Sequence, residues 1–296
     1  MPDGILNNYA GLMQKHGFVP ANHREPNEHA KVSIGGIYDE KGEIIAGHKR
    51  VYHDDTGRTL AVHTDSYSLI PNEMAFGAFE KALAMSGLDL TDMAIATDYG
   101  SHGARTFRQY LLPRHIVEVK PGVSVALRLL MLNSYDGSLA FKGRCGAYDF
   151  VCANTSIVGR DFANLGIKHI GDMAEDRLNV LATALVEAAE AYVQIANDWK
   201  RWPMIDVTDT QAIEVFAEIP SASKRLVEHL THRWVEAVHK DELQGGRNLW
   251  ALYNVLTAWS THGENGDKGA ADTQAQREER VFKAAAAPRF LELKAA

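Results

Sequence analysis

An Asp-Gly pair at Asp136 and Gly137 separates two long apolar runs, and this pattern constrains the fold more than any other in the chain. Both residues tolerate the backbone conformations of a tight turn, so the flanking runs are predicted to pair as an antiparallel hairpin. The two predicted strands cover 123–133 and 138–152. One face of the first strand is wholly apolar, whereas the other face is mixed and carries Arg128. We therefore expect the apolar face to be core.

Further strands are predicted before this hairpin. A meander of three strands covers 31–38, 43–53 and 58–67. A helix follows, with Asn72 as its predicted N-cap, and stops at Gly87. The next predicted strands cover 94–99, 104–112 and 116–119. The β-β-β-α order at the start is similar to the core of strand-annealing proteins, and this likeness concerns topology alone.

The C-terminal half has a helical pattern. In a helix predicted over 172–202, apolar residues alternate at spacings of three and four and form a three-heptad seam. The seam consists of Leu178, Leu181, Leu185, Ala188, Tyr192, Ile195 and Trp199. We favour internal packing of this seam. The alternative is a homo-oligomer contact through Leu178, Leu181, Leu185, Tyr192 and Ile195. Further helices are predicted at 208–218, 221–240 and 248–259.

These patterns predict an α+β protein with an antiparallel N-terminal sheet and a helical C-terminal half. Four regions are expected along the chain. They are an N-terminal arm at 1–30, the sheet region at 31–160, the helical region at 161–262, and a flexible linker and tail at 263–296. The linker is predicted from its Gly, Asp, Thr and Gln content.

Hydropathy and cysteine content indicate the compartment. The chain has no run of about 18 apolar residues, and its first residues lack the basic and apolar regions of a signal peptide. The two cysteines, Cys145 and Cys152, fit a reducing compartment. Their spacing of seven forms neither a CxxC pair nor a zinc knuckle. We therefore expect a cytoplasmic protein with no membrane partner.

Charge is unevenly distributed along the chain. The net charge is -7, yet residues 101–160 contain eight basic and three acidic residues, a balance of +5. Residues 161–296 contain 15 basic and 21 acidic residues, a balance of -6. A basic sheet beside an acidic helical half is what a polyanion-binding face on an acidic protein requires.

Basic and aromatic residues alternate on the predicted strands of the basic segment. Cations follow the phosphates of a single strand, while aromatic rings stack on its bases. The predicted nucleic-acid-binding residues are Arg105, Phe107, Arg108, Arg128, Lys142, Arg144 and Tyr148. The alternative is that half of the aromatic residues are core and that the cations are solvated at strand edges.

Four segments carry a family resemblance. They are 67–73 with Pro71-Asn72-Glu73, 133–138, 151–155 and 249–257. In this order they resemble the motifs of a phage and plasmid protein family known as domain of unknown function 932. The matching residues include Asn133, Asp136, Gly137, Asn154, Trp250 and Asn254. The resemblance implies a phage or mobile-element origin, the host cytoplasm, and work near nucleic acid. Tyr135 stands where the family pattern has histidine, which disfavours a mechanism that needs a histidine there.

Metal and catalytic patterns are weak. His229 and His232 lie three residues apart on a predicted helix, with Glu228 and Glu236 each four residues from His232. A solvated helix face explains them better, so no metal or other cofactor is predicted. Neither a glycine-rich phosphate loop nor a metalloprotease motif is present.

We therefore predict a phage-type DNA-metabolism protein that binds single-stranded nucleic acid, with strand annealing or recombination as the expected process. The first alternative is an enzyme acting on nucleic acid or nucleotide, with a pocket at the 133–138 turn. Its residues would be Asn133, Asp136, Arg144 and Asn154. The second alternative is a structural or host-interaction protein that uses the acidic helices. Binding is favoured over catalysis.

Overall fold

The computed structural model describes residues 17–21, 30–149, 154–157, 166–169, 175–236, 246–264 and 271–295. The strands of this part are β1 (Val19–Pro20), β2 (Val32–Tyr38), β3 (Ile44–His53), β4 (Thr59–Thr64), β5 (Ala94–Gly100), β6 (Arg105–Lys120), β7 (Val123–Ser134), β8 (Phe141–Asp149), β9 (Thr155–Ile157) and β10 (Gly166–Ile167). The helices are α1 (Asn72–Ala84), α2 (Glu175–Asp198), α3 (Asp209–Ala217), α4 (Lys224–Glu236), α5 (Leu249–His262), α6 (Ala271–Ala285) and α7 (Pro288–Ala295). The fold is α+β, as predicted.

The strands form two antiparallel sheets. The main sheet has the order β1-β5-β6-β7-β8-β10, and β9 also pairs with β8. The small sheet has the order β2-β3-β4 and confirms the predicted meander. Where two strands were predicted at 104–112 and 116–119, one strand, β6, runs through an irregularity between Leu112 and Ile116. Pro113 lies there and cannot donate a ladder hydrogen bond, which accounts for the interruption.

The central hairpin pairs β7 with β8, from Val125 opposite Asp149 to Leu132 opposite Lys142. The predicted strand pairing is thus confirmed, although residues 150–153 lie outside the described residues. The connection covers 135–140 and is longer than a two-residue turn. Within it Gly137 has φ +72°, a value that glycine adopts readily and L-residues rarely do.

Strand β7 is buried on both faces over its whole length. The side chains of Val125, Leu127, Leu129 and Met131 belong to the main core, which also contains Phe76 and Phe79 of α1 and much of α2. The opposite face of β7 carries Arg128 and is covered by α6. The main sheet therefore lies between two helical layers.

Helix α1 begins at Asn72, but Asn72 is not its N-cap. The N-cap position is Pro71, without a side-chain hydrogen bond. The amide of Asn72 points into the interior instead, where it donates to Thr106 Oγ1 at 2.8 Å and accepts from Asn133 Nδ2 at 2.8 Å. A buried amide needs such partners, so the tertiary hydrogen bonds take precedence over local capping.

The seam of α2 is internal. Leu178, Leu181, Leu185 and Tyr192 are buried in the main core, and Ile195 packs against it. The hydroxyl of Tyr192 also donates to the carbonyl of Val125 at 3.3 Å. Because these side chains contact the chain's own sheet, they do not form a surface for a second copy. Internal packing, the favoured interpretation, describes the seam.

Side chains cap several of the later helices. Thr208 forms a capping box with Gln211 at the start of α3, and Asn248 caps α5. Helix α4, predicted to start at residue 221, begins at Lys224, and the Ser223 hydroxyl before it accepts from the Leu226 N–H at 3.1 Å. Ser221 itself has φ +57°.

The region predicted as flexible linker and tail contains two packed helices, α6 and α7, although 265–270 lie outside the described residues. Val281, Ala284, Phe290 and Leu293 are buried in the main core. The predicted arm at 1–30 is described only at 17–21 and residue 30, where Val19 pairs with Ile95 at the edge of the main sheet. Composition alone did not indicate these contacts.

Gly137→Val is expected to destabilise the fold by about 1–3 kcal/mol, because a β-branched residue is strained at this φ. A Cβ at Gly137 would also lie 3.2 Å from Cε1 of His63. Thermal unfolding of the two proteins measures the difference. The matched control is Gly77→Ala in α1, where a Cβ meets nothing within 4 Å. This substitution should raise the free energy of unfolding by roughly 0.5–1 kcal/mol. Equal melting temperatures for Gly137→Val and the parent would contradict the strain argument.

Candidate functional site

The residues predicted to bind nucleic acid do gather on one sheet face, with one exception. The β6–β7 and β7–β8 registers place six of them on the same side. They are Arg105, Phe107, Arg128, Lys142, Arg144 and Tyr148. Arg108 lies on the opposite side, where it contacts Glu80 at 3.2 Å and donates to the Tyr110 hydroxyl at 2.9 Å.

This sheet face is closed by α6. Arg128 is 3 % exposed and contacts Glu278 at 3.2 Å, while its Nε donates to Gln109 at 2.7 Å. Arg144 donates to the Ala275 carbonyl at 3.0 Å and to Glu279 at 2.6 Å. Burial lowers the pKa of Arg144 although both glutamates oppose this shift. Two of the predicted cations are thus interior charges with carboxylate partners.

The two aromatic residues of this set are also interior. Phe107 packs with Leu130, Leu132 and Ala275 of α6. Tyr148 meets Phe18 edge-on, with ring centroids 5.6 Å apart. Of the six residues on this face, Arg105 and Lys142 are partly exposed, whereas Phe107, Arg128, Arg144 and Tyr148 are buried.

The first two family-motif segments contact each other, and the third contacts helix α5, which contains the fourth. Asn133 Nδ2 donates to the Ile70 carbonyl at 2.9 Å, which joins the second segment to the first. Asn154 Oδ1 lies 3.1 Å from His262 Nε2, and the Thr155 N–H donates to Thr261 at 2.9 Å. The motif residues Trp250 and Asn254 are buried in α5. These residues hold the two halves of the chain together.

The four residues of the predicted enzyme pocket do not converge. Asn133 and Asn154 have the interior partners just described, and Arg144 lies under α6. Asp136 accepts from Arg105 Nε at 2.7 Å and from the Ser138 N–H at 3.0 Å. Burial alone would raise the pKa of Asp136, but Ser138 and Arg105 together hold it below its usual value.

A different cleft lies beside the 133–138 turn. It has a volume of about 400 Å³ and lies where β4 of the small sheet meets the β7–β8 connection and the segment after β10. We call it the junction cleft. Its lining residues are His63, Thr64, Ser66, Tyr67, Gly137, Leu139, Ala140, Lys168 and His169. None of them is acidic, and Lys168 is exposed.

Three parallel aromatic rings form one wall of the junction cleft. Tyr67 lies between His63 and His169, with centroid distances of 3.8 Å and 5.3 Å and interplanar angles of 3° and 1°. His63 Nε2 is 2.7 Å from the Tyr135 carbonyl oxygen, and His169 Nδ1 is 3.3 Å from the Ser68 carbonyl oxygen. Since a carbonyl only accepts, these two nitrogens carry the protons.

His169 has an unused acceptor at the cleft. The side chain is 5 % exposed, and its Nε2 is buried without a hydrogen-bond partner in the described part of the chain. Burial lowers the pKa of His169, as does nearby His63, and the contact with Ser68 only partly opposes this shift. The ring is therefore neutral at neutral pH, and its buried Nε2 is an acceptor without a partner among the described residues.

Sequence reasoning singled out the turn and Tyr67 but missed His63, Lys168 and His169. No spacing pattern links His63 to His169, because they come from separate segments that meet only in the folded chain. As for the His229 and His232 pair on α4, the described residues contain no group of three or more metal-ligating side chains placed to hold an ion.

Comparison with known proteins identifies a family. A family model described as Domain of unknown function (DUF932) matches residues 59–286, a range that includes all four motif segments. No curated protein and no solved structure matches the chain. Among the described helices, none combines the length and the apolar character needed to cross a membrane.

Glu278→Ala is expected to destabilise the protein by about 3–5 kcal/mol, because it leaves the buried Arg128 charge without its partner. Denaturant unfolding measures this loss. The control is Glu292→Ala, which removes an exposed i,i+3 contact to Arg289 and should leave the unfolding midpoint nearly unchanged. Similar midpoints for the two variants would refute the structural role of Glu278.

His169→Gln is expected to flatten the acid dependence of stability. Below about pH 6.5 the unfolded chain protonates this histidine, while the folded chain resists protonation because its pKa is lower. Parent stability therefore falls as pH decreases through this window. Unfolding curves at about pH 7 and about pH 5 should show a smaller loss for His169→Gln than for the parent. The exposed His48→Gln serves as control and should keep the parent's slope.

Proposed function

Because the chain belongs to the family described as Domain of unknown function (DUF932), which names no activity, we propose a function from the geometry of the junction cleft. The cleft binds a nucleoside phosphate, either as a free nucleotide or as one unit of a single strand. The observation that carries this proposal is a cleft with an exposed lysine, a wall of stacked rings and a buried, unused imidazole acceptor, and with no acidic side chain among its described lining residues.

Size and charge support an anionic ligand of this class. The volume of about 400 Å³ lies within the usual range of small-molecule sites. Lys168 provides a cation at the rim, and the hydroxyls of Thr64 and Ser66 lie on the same lining. Asp136, the nearest acidic residue of the turn, is already engaged by Arg105 and Ser138. A phosphate therefore meets a cation here without a competing carboxylate in the lining.

The imidazole acceptor supports a ligand with N–H donors. Nε2 of neutral His169 accepts but does not donate, so it matches a base N–H donor, either the amino group of adenine or cytosine or the N3–H of thymine. Leu139 and Ala140 add apolar surface for the base. Hydrogen bonds and apolar contacts of this kind distinguish a nucleotide site from a simple anion site.

We extend the proposal to the setting of the protein. A phage or mobile-element origin and work in the cytoplasm are supported by the four motif segments and by the two-cysteine content. Cys145 is a buried thiol whose pKa burial raises to about 12, which suits a reducing compartment.

Calorimetric titration with dAMP, dCMP, dTMP and inorganic phosphate tests the junction cleft. We expect dAMP, dCMP and dTMP each to bind more tightly than inorganic phosphate, because only the nucleotides carry a base. Lys168→Ala and His169→Phe should each weaken dAMP binding about fivefold, the effect of losing about 1 kcal/mol. Lys200→Ala, which removes an exposed lysine elsewhere, should have no effect.

Three results would count against the cleft. They are a lack of nucleotide binding at millimolar concentration, equal affinities for dAMP and inorganic phosphate, and the same affinity in Lys168→Ala as in Lys200→Ala. Chromatography of the titrated samples measures in addition whether the nucleotide has been converted. Conversion of the bound nucleotide would favour the enzyme alternative at this same cleft, with His169 Nε2 as its base.

A further inference from the structure

We infer that the solvent face of the small sheet carries a single nucleic-acid strand into the junction cleft. This inference rests on the proposed function and names the source of the nucleotide: a strand whose leading unit occupies the cleft while the following units lie along β3 and β4. The strand-binding surface consists of His48, Arg50, Tyr52, Val62 and Thr64, together with Gly35.

The two faces of the small sheet differ at Val51 and Val62, although Ile34, which pairs with Val51, is also exposed. Val51 is fully buried and packs with Tyr67 and Tyr135, so its face points toward the main sheet. Residues that alternate with Val51, namely Arg50 and Tyr52, belong to the other face. Val62, opposite Arg50, is 56 % exposed, which shows that this second face meets solvent.

The solvent face leads directly to the junction cleft. Arg50 pairs with Val62, and two residues farther along the same strands His48 pairs with Thr64. Thr64 is itself a lining residue of the cleft. From Thr59, opposite Tyr52, to Thr64 the strand β4 rises by about 17 Å at about 3.3 Å per residue. A strand of a few nucleotides can therefore contact the tyrosine and the cleft at once.

Arg50 is available to a phosphate in a way that the arginines of the main sheet are not. Its guanidinium lies 4.6 Å from the ring centroid of Tyr52 and donates to Thr59 Oγ1 at 3.3 Å. Its Nε is buried without a partner among the described residues, so a phosphate would contact the terminal nitrogens, and no carboxylate of the described residues pairs with Arg50. Arg128 and Arg144, by contrast, hold Glu278 and Glu279.

The ring of Tyr52 lies against Gly35, the residue of β2 that pairs with Arg50. A Cβ at Gly35 would come within 2.9 Å of Tyr52 Cε1, so the ring crosses the backbone of β2 at close range. The result is a flat ring with an arginine stacked on it. Aromatic rings and arginines on an antiparallel sheet are the elements with which single-strand-binding proteins hold bases and phosphates.

Charge on this face selects the partner. The alternating positions that face solvent carry Arg50 and His48, whereas the acidic residues of the small sheet lie in its turns at 39–43 and 54–55 and at Asp65, directly after β4. The strand positions therefore attract a polyanion. A nucleic-acid strand supplies both the phosphates for Arg50 and the flat bases for Tyr52, while an acidic peptide supplies only the charge.

Fluorescence anisotropy with a labelled oligonucleotide of about 12 nucleotides, beside titration with dCMP, tests this surface. The 12-mer should bind more tightly than dCMP. Arg50→Ala should weaken binding of the 12-mer about fivefold and leave the affinity for dCMP unchanged. The slope of log affinity against log salt concentration should become shallower by about 0.7. Tyr52→Leu should weaken the 12-mer at least fivefold with little change in salt dependence. Arg50→Lys should retain the salt dependence but lose part of the affinity.

Arg201→Ala is the matched control. Arg201 is exposed on the segment 199–204 that follows α2. Tyr192 of α2 contacts Val125. Val125 lies about 30 Å along β7 from Ser134, where the turn begins. This variant should bind the 12-mer like the parent. Circular dichroism and melting curves of every variant establish that it is folded.

The outcomes separate the two proposals. Equal binding of dCMP and the 12-mer, or equal effects of Arg50→Ala and Arg201→Ala, would overturn the strand-binding surface while leaving the cleft intact. Displacement of the 12-mer by poly-glutamate at equal charge concentration would also overturn it, because the surface would then select charge alone. Lack of dCMP binding together with Arg50-dependent binding of the 12-mer would refute the cleft instead and support the surface.

Discussion

The ion pair between Arg128 and Glu278 is the interaction on which the layers of this fold depend. Strand β7 is buried on both faces, and one of those faces carries a guanidinium. A charge in the interior is tolerated only with a partner. Glu278 of α6 provides it, and also accepts from Thr155, which the Thr261 hydroxyl holds in turn. Helix α6 is thereby fixed as the second layer over the sheet.

Local periodicity predicted the fold wherever local contacts decide it. The β7–β8 hairpin and the β2–β4 meander follow from alternation, and the α2 seam follows from its spacing of three and four. The sequence did not reveal that α6 packs on the sheet, because its buried face includes Gln274 and Glu278, which look solvated until Arg128 is placed against them. Asn72 was mistaken for a cap for the same reason, since its partner is the distant Asn133.

The candidate site was predictable only in part. The motif segments identified the turn beside the junction cleft and one of its rings, Tyr67. His63, Lys168 and His169 could not be found, because they are brought together by the docking of the small sheet on the main sheet and by the short β10 strand. Such convergence of separate segments leaves no periodic or spacing signal in the sequence.

Counting cations along the chain located a basic segment but not the surface that can use it. Arg128 and Arg144 share a face with Phe107, as alternation predicts, yet each holds a carboxylate beneath α6. A phosphate could reach them only by displacing that carboxylate and the packed helix around it, at a cost of several kcal/mol. A phosphate that contacts Arg50 displaces no carboxylate, since the neighbour of this guanidinium is the ring of Tyr52. We therefore place the proposed single-strand surface on the small sheet rather than on the main one.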